Sequence, residues 1–288
     1  MKTENAQVVV DGGRTLEYQC SGPEDGLPLV FHHGTPGTLP PRDFARAAHE
    51  RGLRLVTVKR PGYANSGRRP GRAVVDVVPD TAAVLRALGA DRLLLAGWSG
   101  GGPHALACAA RLPGAIRALI IAGLAPAGAD GLDFRAGMDD DNAHEWDAAF
   151  QGERDLRTYV DPIAPALLDA LTPDLAADLL PAPDAAAMTP EFAADLAAAN
   201  RDGLRPGIDG WVDDELAFTR PWGFDPAEIA LPVSVWHGRR DVNVPYAHGA
   251  WVAARIPYAS LHPAAGDAHL SILATGTGRM LDHLTART

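Results

Sequence analysis

The chain has 288 residues, of which 47% are hydrophobic and 22% are charged, and its formal net charge is −10. This length and apolar content allow a large buried core in one or two domains. The negative charge argues against a nucleic-acid partner, because phosphates are bound by basic surfaces. No apolar run approaches the ~20 residues that span a bilayer. The opening stretch MKTENAQVVV lacks the apolar core of a signal peptide, so we expect a cytoplasmic protein.

Cysteine and histidine spacing argues against a cofactor. Cys20 and Cys108 are the only cysteines, which is typical of a reducing compartment, and we expect both to be buried as small apolar side chains. His144 lacks the second histidine of a zinc-protease helix, and the stretch GTGRML near Gly276 lacks the third glycine of a dinucleotide site. We therefore predict no metal, no organic cofactor and no membrane partner. A small-molecule substrate is the expected ligand, and the oligomeric state is left open.

Short apolar runs alternate with helical patterns along most of the chain. The runs VVV and LEYQC, joined across Asp11–Gly13, predict an opening β-hairpin. Stretches such as RDFARAAHERG and DTAAVLRALGA carry apolar residues at helical spacing and meet a glycine near their ends. This alternation predicts an α/β fold with a mostly parallel sheet that is covered by helices on both faces. The later strands are predicted, in chain order, at Leu29–His33, Leu53–Val58, Arg92–Gly97, Ile116–Gly123, Pro232–Gly238 and Ala259–Pro263.

Two stretches depart from this alternation. The segment KRPGYANSGRRPGR, Lys59–Arg72, is the only basic cluster, and its proline and glycine content predicts a solvated loop. Residues 125–230 are rich in Ala, Asp and Pro, show no convincing strand and hold too many aromatic residues for a disordered segment. We predict that they form a helical cap inserted into a core domain, which is then built from residues 1–124 and 231–288.

Four glycines surround Ser99 in the stretch LLLAGWSGGGPHALACAA, where a strand should become a helix. Glycine inside either element costs roughly 0.5–1 kcal/mol relative to alanine, so the cluster indicates a special backbone. A serine nucleophile must stand clear of the backbone, and a sharp strand-to-helix turn achieves this if the residues two before and two after it are small. Gly97 and Gly101 occupy those positions. The pattern G-x-S-x-G therefore predicts Ser99 as a nucleophile.

A serine nucleophile needs a histidine base and an acid that orients it, and in this architecture each follows a late strand. Asp241 follows the run VSVWHG and His269 follows the last predicted strand, so we predict these residues as the acid and the base. Asp267 is the weaker alternative for the acid, since it lies only two residues before the histidine. His104 is expected to pack within its helix, and His237 is expected to support the loop that carries Asp241.

The oxyanion formed during acyl transfer requires preorganised donors, usually backbone amides. The amide of Gly100, directly after the predicted nucleophile, is the first expected donor, and the helix that begins there directs its amide dipoles towards negative charge. The second expected donor is the amide of Thr35, because Gly34 lets the chain turn after the strand LVFHH.

The pentapeptide at Ser99, together with HGTPG, RPGYANS, HGRRDVNVP and GDAHLS, resembles the α/β-hydrolase superfamily over nearly the whole chain. The resemblance implies a sheet of about eight strands, a Ser–Asp–His triad, an oxyanion hole from the amides of Thr35 and Gly100, and a helical cap after the sixth strand. The HGTPG and GWSGGG versions are most similar to esterases and proline iminopeptidase-like members. Iminopeptidases bind a substrate amine through cap carboxylates, and Asp139–Asp141 and Asp213–Glu215 could serve in that role here, although such acidic runs are more typical of solvated helix faces.

We therefore expect a serine hydrolase that acts on small or medium carboxylic esters. The same triad leaves open amide or N-terminal proline cleavage, carbon–carbon bond hydrolysis and acyl transfer in a biosynthetic pathway. A catalytically inactive binding protein is the alternative from another class, and a fluorophosphonate probe separates it from an enzyme. Because ligands bind at the carboxyl ends of parallel strands, we expect aromatic cap residues to line the pocket. The residues predicted to contact substrate are Trp98, Trp211, Phe218 and, as first choice, Trp222.

Overall fold

The computed structural model describes residues 3–286 and is built around one eight-stranded sheet. Its strands follow the predicted runs closely, because continuous leucine and β-branched residues fit a buried pleated surface. The outermost residues of the predicted core segments, 1–2 and 287–288, lie outside the described residues. The strands are β1 Thr3–Val10, β2 Arg14–Ser21, β3 Leu27–His32, β4 Leu53–Val58, β5 Leu93–Trp98, β6 Ala115–Ile121, β7 Val233–Gly238 and β8 Ala259–Ala264.

Helices connect most of these strands. In the core they are α1 Arg42–Glu50, α2 Val77–Leu88, α3 Gly101–Arg111, α10 Tyr246–Arg255 and α11 Ser271–Thr285. Between β6 and β7 they are α4 Asp140–Gln151, α5 Glu153–Val160, α6 Pro173–Leu179, α7 Ala182–Ala187, α8 Pro190–Gly203 and α9 Asp209–Phe218. Short 3₁₀ turns occur at Asp11–Gly13, Val74–Asp76, Ala164–Leu168 and Pro226–Glu228.

The strand order across the sheet is β1-β2-β4-β3-β5-β6-β7-β8. β1 and β2 form the predicted antiparallel hairpin, and Gly12 and Gly13 in its turn have φ of 76° and 73°. β2 also pairs antiparallel with β4, whereas the pairings from β4–β3 to β7–β8 are parallel. The predicted α/β fold with a mostly parallel sheet is confirmed. Because parallel strands end at one sheet edge, the loops after β3, β5, β7 and β8 meet there.

Helices cover both faces of the sheet because its central strands are apolar on both sides. Along β5, Leu95 packs on the face shared with Leu106 of α3, while Leu94 packs on the face shared with Met280 of α11. None of these four side chains is more than 3% exposed. Full burial of a leucine stabilises the fold by about 1.5–3 kcal/mol. The two layers thus fix β5, the strand that leads into Ser99.

The chain between β6 and β7 is helical, in agreement with the composition of residues 125–230. Within the described part of the chain, this stretch contains α4–α9 and no strand. Trp211 and Phe218 of α9 share an apolar cluster with Leu106 of α3, so the helical stretch packs onto the core. No helix among residues 3–286 is long and apolar enough to cross a membrane.

Candidate active site

The turn after β5 holds Ser99 in a strained conformation. Its φ is 53°, in the left-handed region that residues other than glycine rarely adopt. The Gly102 amide donates to Ser99 O at 2.8 Å and continues the turn into α3. A Cβ atom on Gly97 would collide with the Gly101 carbonyl, and one on Gly101 would collide with the His32 carbonyl. These glycines are therefore required by the close approach of backbone segments around the serine.

Ser99, His269 and Asp241 form one hydrogen-bonded chain. The Ser99 hydroxyl donates to Nε2 of His269 at 3.0 Å, and Nδ1–H of His269 donates to Oδ2 of Asp241 at 2.9 Å. The tautomer follows from the partners, since an ionised carboxylate can only accept. The amides of Asn243 and Val244 donate to Oδ1 of Asp241 at 3.0 and 2.8 Å and fix its orientation. The structure thus brings together three residues from separate parts of the chain.

Burial and charge act in opposite directions on this histidine and its acid. Desolvation would lower the pKa of the buried imidazole, but Asp241 outweighs it, and the pKa of His269 is raised above its ordinary value. Burial would raise the pKa of the Asp241 carboxyl, but His269 and His237 hold that pKa well below its usual range. His237 supports this loop as expected, since its Nε2 lies 2.7 Å from Val244 O. An ionised acid beside a histidine whose pKa it raises suits general-base catalysis.

Thr35 and Gly100, the predicted oxyanion donors, lie side by side next to the serine. A Cβ atom on Gly100 would collide with the Thr35 side chain, so the loop after β3 packs directly on the residue that follows Ser99. A Cβ atom on Gly34 would lie 3.2 Å from the Trp98 ring, which shows how closely the same loop approaches the end of β5. Backbone from two different loops therefore borders the serine, as an oxyanion hole requires.

A cavity of about 340 Å³ lies beside the Ser99 hydroxyl. Three of the four residues predicted to contact substrate, Trp98, Trp211 and Phe218, line this cavity together with His269. The Trp98 and His269 rings lie 5.7 Å apart, centroid to centroid. A concave space with aromatic walls and a few polar groups is typical of a small-molecule site.

Trp222 does not line this cavity, and the prediction that it is the main substrate contact is wrong. It borders a separate depression with Phe224 and Trp251. After α9 ends, the chain turns back to the core, where the Val75 amide donates to Trp222 O at 3.0 Å. This hydrogen bond holds the turn against the core instead of over Ser99.

Two glutamates of the helical stretch line the cavity. Glu215 on α9 is 6% exposed, and within the described residues its Oε2 has no hydrogen-bond partner. Burial, with repulsion from Glu145 and Asp214, raises the pKa of Glu215 well above its ordinary value. Glu145 on α4 is half-buried and accepts a hydrogen bond from Nε1 of Trp211 at 2.7 Å, and desolvation raises its pKa to about 7. The described lining of the cavity includes both carboxyl groups and no lysine or arginine.

The basic segment and the acidic run of α9 are buried against each other, so the prediction that both are solvated is wrong. Arg60 and Arg72 are at most 4% exposed, and Asp213 and Asp214 are at most 3% exposed. Arg60 pairs with Asp214 at 2.6 Å, and Arg68 pairs with Asp213 at 2.9 Å. Buried charges require partners, and here each segment supplies them to the other.

A sequence model of the alpha/beta hydrolase fold matches residues 28–270. The chain belongs to the α/β-hydrolase fold family. Similar solved structures include a hydrolase from Pseudomonas aeruginosa, with 20% identity, a TM-score of 0.68 and 98% of both chains covered. An esterase from Exiguobacterium antarcticum has 15% identity and a TM-score of 0.69, with 98% of this chain and 99% of that chain covered. An α/β-hydrolase fold protein from Nakamurella multipartita has 24% identity and a TM-score of 0.68, with 98% of both chains covered.

At these identities the structural likeness concerns the fold of this α/β-hydrolase alone. No curated protein matches its sequence. Among residues 3–286 of the α/β-hydrolase, no group of three or more His, Cys, Asp or Glu side chains is placed to hold a metal ion.

Sequence reasoning missed several residues around the site of this α/β-hydrolase. His104 packs in its helix as expected, but it also lies 3.2 Å from Oδ1 of Asp214. The burial of Asp214 against Arg60 and His104 was not predicted. The sequence feature that could have indicated this contact is the opposite charge of the basic segment Lys59–Arg72 and the acidic run Asp213–Glu215. Asp267, the alternative acid, accepts from the Thr275 hydroxyl at 3.1 Å instead of from the histidine.

Proposed function

We propose that this protein is a serine hydrolase that cleaves carboxylic esters of small or medium organic substrates through an acyl-enzyme. The observation that carries the proposal is the hydrogen-bonded chain from Ser99 through His269 to Asp241, which borders the cavity. We further propose that residues 125–230 act as the cap of this site, because Trp211 and Phe218 from this segment form part of its wall.

In the first half-reaction, Oγ of Ser99 attacks the ester carbonyl carbon while Nε2 of His269 takes the hydroxyl proton. The carbonyl electron pair moves to oxygen, and the amides of Thr35 and Gly100 stabilise the resulting oxyanion. When the carbonyl re-forms, the bond to the alkoxy group breaks, and the imidazolium returns its proton to the leaving oxygen. A positioned base contributes roughly 10²–10⁴-fold, and each oxyanion donor roughly 10²–10³-fold.

In the second half-reaction, water replaces the alcohol. His269 takes a proton from water as its oxygen attacks the acyl carbon, and the same two amides stabilise the second oxyanion. Collapse of this intermediate breaks the bond to Oγ of Ser99, which receives the proton from the imidazolium. Asp241 stabilises the imidazolium in both halves without accepting its proton.

The test of this proposal is Ser99→Ala. We expect loss of hydrolysis of chromogenic esters and loss of labelling by a fluorophosphonate probe, with circular dichroism unchanged because only one hydroxyl at the cavity wall is removed. Ser260→Ala is the matched control, since Oγ of Ser260 lies 3.0 Å from Nε2 of His262 on β8 and outside the cavity. Substantial hydrolysis by Ser99→Ala, or probe labelling at another residue, would contradict the proposal.

A second candidate function is hydrolysis of an ester or amide whose substrate carries an ammonium group, as in N-terminal proline cleavage. The observation that favours it is the pair of cavity carboxyl groups, of which Glu215 has an unpartnered oxygen. A cation placed there would supply the missing partner and would favour ionisation of both acids. Because the pKa of Glu145 is about 7, the preference for a cationic substrate should grow as the pH rises through that value.

Glu215→Gln tests this second candidate with two matched esters, one neutral and one bearing an ammonium group at the acyl end. We expect kcat/KM for the cationic ester to fall by at least about tenfold, because a charge-assisted hydrogen bond of about 1.5–3 kcal/mol is lost. The neutral ester is the internal control and should retain its kcat/KM. Equal effects on both esters would rule out cation recognition.

A further inference from the structure

A buried ionic cluster lies directly behind the loop that carries Thr35. Asp214 on α9 is fully buried, and its Oδ2 accepts from the Thr35 hydroxyl at 3.0 Å and from the Tyr63 hydroxyl at 2.8 Å. Nη2 of Arg60 donates to the same Oδ2 at 2.6 Å, and Nη1 of Arg72 donates to Oδ1 at 2.6 Å. With Nε2 of His104 at 3.2 Å from Oδ1, one carboxylate from the helical segment therefore binds five side chains of the core.

Arg60 extends this contact to the backbone of the loop. Its Nη1 donates to His33 O at 2.7 Å, and its Nη2 donates to Gly34 O at 2.9 Å. Gly34 C=O and Thr35 N–H belong to one planar trans peptide unit, so they point in opposite directions. The guanidinium that holds the Gly34 carbonyl thereby turns the Thr35 amide to the other side of the loop.

The two arginines keep Asp214 ionised although it is buried behind this loop. Burial would raise the pKa of Asp214, but Arg60 and Arg72 hold that pKa well below its usual range. Desolvation lowers the pKa of His104, which lies 3.2 Å from Asp214, to about 4, so its imidazole is neutral at pH 7. The contacts of Asp214 with the loop are therefore charge-assisted hydrogen bonds, which are stronger than neutral ones.

A second carboxylate of the helical segment holds the loop of the histidine. Asp184 on α7 is fully buried, and its Oδ1 accepts from the amides of Leu270 and Ser271 at 3.1 and 2.8 Å and from the Ser271 hydroxyl at 2.7 Å. The Ser271 hydroxyl accepts in turn from the Ala268 amide at 2.7 Å. These hydrogen bonds fix the backbone on both sides of His269.

We propose that the helical segment positions both catalytic loops of the core, the oxyanion loop through Asp214 and the histidine loop through Asp184. The inference rests on the proposed function, because it assigns roles relative to the reaction at Ser99. Both aspartates act through other groups and touch no reacting atom. Since release of α7 or α9 would break these bonds, the two helices stay docked on the core during turnover.

Asp214→Asn is the first test, and Asp213→Asn is its matched control. Both aspartates are buried on α9 and paired with arginines, but Asp213 pairs with Arg68 and contacts neither catalytic loop. We expect kcat of Asp214→Asn to fall by about 10–100-fold with KM within about twofold, since full loss of an oxyanion donor costs roughly 10²–10³-fold. Asp213→Asn should keep kcat within about twofold. A purely structural role would lower the melting temperature of Asp214→Asn and leave its kcat unchanged below that temperature.

Three further variants, two of them at Thr35, keep the inference testable if Asp214→Asn does not fold. Thr35→Val keeps the amide and the shape of the side chain but removes the hydroxyl that donates to Asp214, and kcat should fall by about tenfold. Thr35→Ser keeps the hydroxyl and should restore kcat. Asp184→Ala removes the acceptor that fixes the histidine loop, so kcat should fall by about 10–100-fold. It also removes a negative charge that raises the pKa of His269, so the acidic limb of the kcat/KM profile should move to lower pH.

The outcomes separate this inference from the function on which it rests. If Ser99→Ala stays active, the proposed function fails. If Ser99→Ala is inactive while Thr35→Val and any folded Asp214→Asn keep the parent kcat, the role of Asp214 is overturned. An unchanged kcat and an unmoved pH profile in Asp184→Ala overturn the role of Asp184.

Discussion

At the scale of single residues, the site depends on a carboxylate that is kept ionised although it is buried. Asp241 is 4% exposed, yet it accepts from the amides of Asn243 and Val244 and from the imidazole of His269. Hydrogen bonds to the charged form offset the loss of hydration. The same carboxylate raises the pKa of His269, so the removal of its charge should change both the rate and its pH dependence.

Asp241→Asn should keep the shape of the acid and lose its charge. In the proposed mechanism the neutral imidazole is the base, so the acidic limb of kcat/KM should report the pKa of His269, which lies above the ordinary value of about 6.5 in the parent. Without the carboxylate this limb should move to lower pH, and kcat should fall by about 10⁴-fold. Initial rates with a chromogenic ester across neutral pH measure both effects.

Asp267→Asn is the matched control for this prediction. Its carboxylate accepts from the Thr275 hydroxyl, so the variant should keep the parent profile. A severe loss in Asp267→Asn beside a mild one in Asp241→Asn would show that the wrong carboxylate has been assigned.

At the scale of elements, α9 joins the helical segment to the core by unusually close packing. A Cβ atom on Gly210, near the start of α9, would lie 2.6 Å from the Tyr63 ring, and one on Gly62 would lie 2.7 Å from the Gly210 Cα. The Tyr63 ring cannot easily move, because its hydroxyl donates to Asp214. The glycine at position 210 therefore sets how closely α9 approaches the loop of Arg60.

Paired glycine-to-alanine variants test this packing. Gly210→Ala should lower the free energy of unfolding by about 1–3 kcal/mol, because the new methyl group overpacks the contact with Tyr63. Gly278→Ala, in the middle of α11, should raise it by about 0.5–1 kcal/mol, because its Cβ would meet only Nη2 of Arg51, at 3.9 Å. Urea unfolding measures both. Equal effects from the two variants would contradict the close packing of α9.

At the scale of the whole molecule, the stability of the folded protein at low pH is governed by buried histidines that are neutral in the folded state. Desolvation lowers the pKa of each of them, to about 4 for His104 and His248. An unfolded histidine titrates near 6.5, so only the unfolded chain gains these protons as the pH falls through that value, and stability is lost. The buried histidines of this kind are His32, His33, His104 and His248.

The two cavity glutamates act in the opposite direction. The pKa values of Glu145 and Glu215 are raised in the folded state, so the folded chain binds these protons before the unfolded chain does. Their stabilising contribution to the free energy of unfolding therefore increases as the pH falls from about 7 towards the ordinary glutamate pKa of about 4.3. The histidines outnumber them, and the net effect of acid is destabilising.

We expect the free energy of unfolding to fall as the pH is lowered from 6.5 to 5. Near pH 5 the unfolded chain binds about two protons more than the folded chain, which corresponds to about 3 kcal/mol per pH unit. Urea unfolding at several pH values measures this slope. A stability that rises over the same interval would contradict the neutral state of the buried histidines.

His248→Gln provides the matched variant for the pH slope. Nδ1 of His248 accepts from the Ala125 amide at 3.2 Å, and its Nε2–H donates to Phe134 O at 2.8 Å. Glutamine has both an acceptor and a donor but does not titrate. The slope should therefore decrease by about 1.4 kcal/mol per pH unit.

The sequence by itself determined the strands, their parallel arrangement and the order of the candidate triad along the chain. These features are local, because a run such as Leu53–Val58 fits a buried strand whatever lies elsewhere in the chain. The positions of Gly97 and Gly101 around Ser99 are local in the same sense, since a sharp turn requires small residues at fixed offsets. Periodicity and turn chemistry are thus sufficient to predict the architecture.

Only the tertiary structure decided which charges are buried and which aromatic residues face the cavity. Arg60 and Asp214 are 154 positions apart, and each is buried because the other is present, which no local pattern of either segment indicates. Trp211 and Trp222 lie close together in sequence, yet one lines the cavity and the other is held against the core. Burial of a charge or the direction of a side chain depends on partners that only the folded chain brings together.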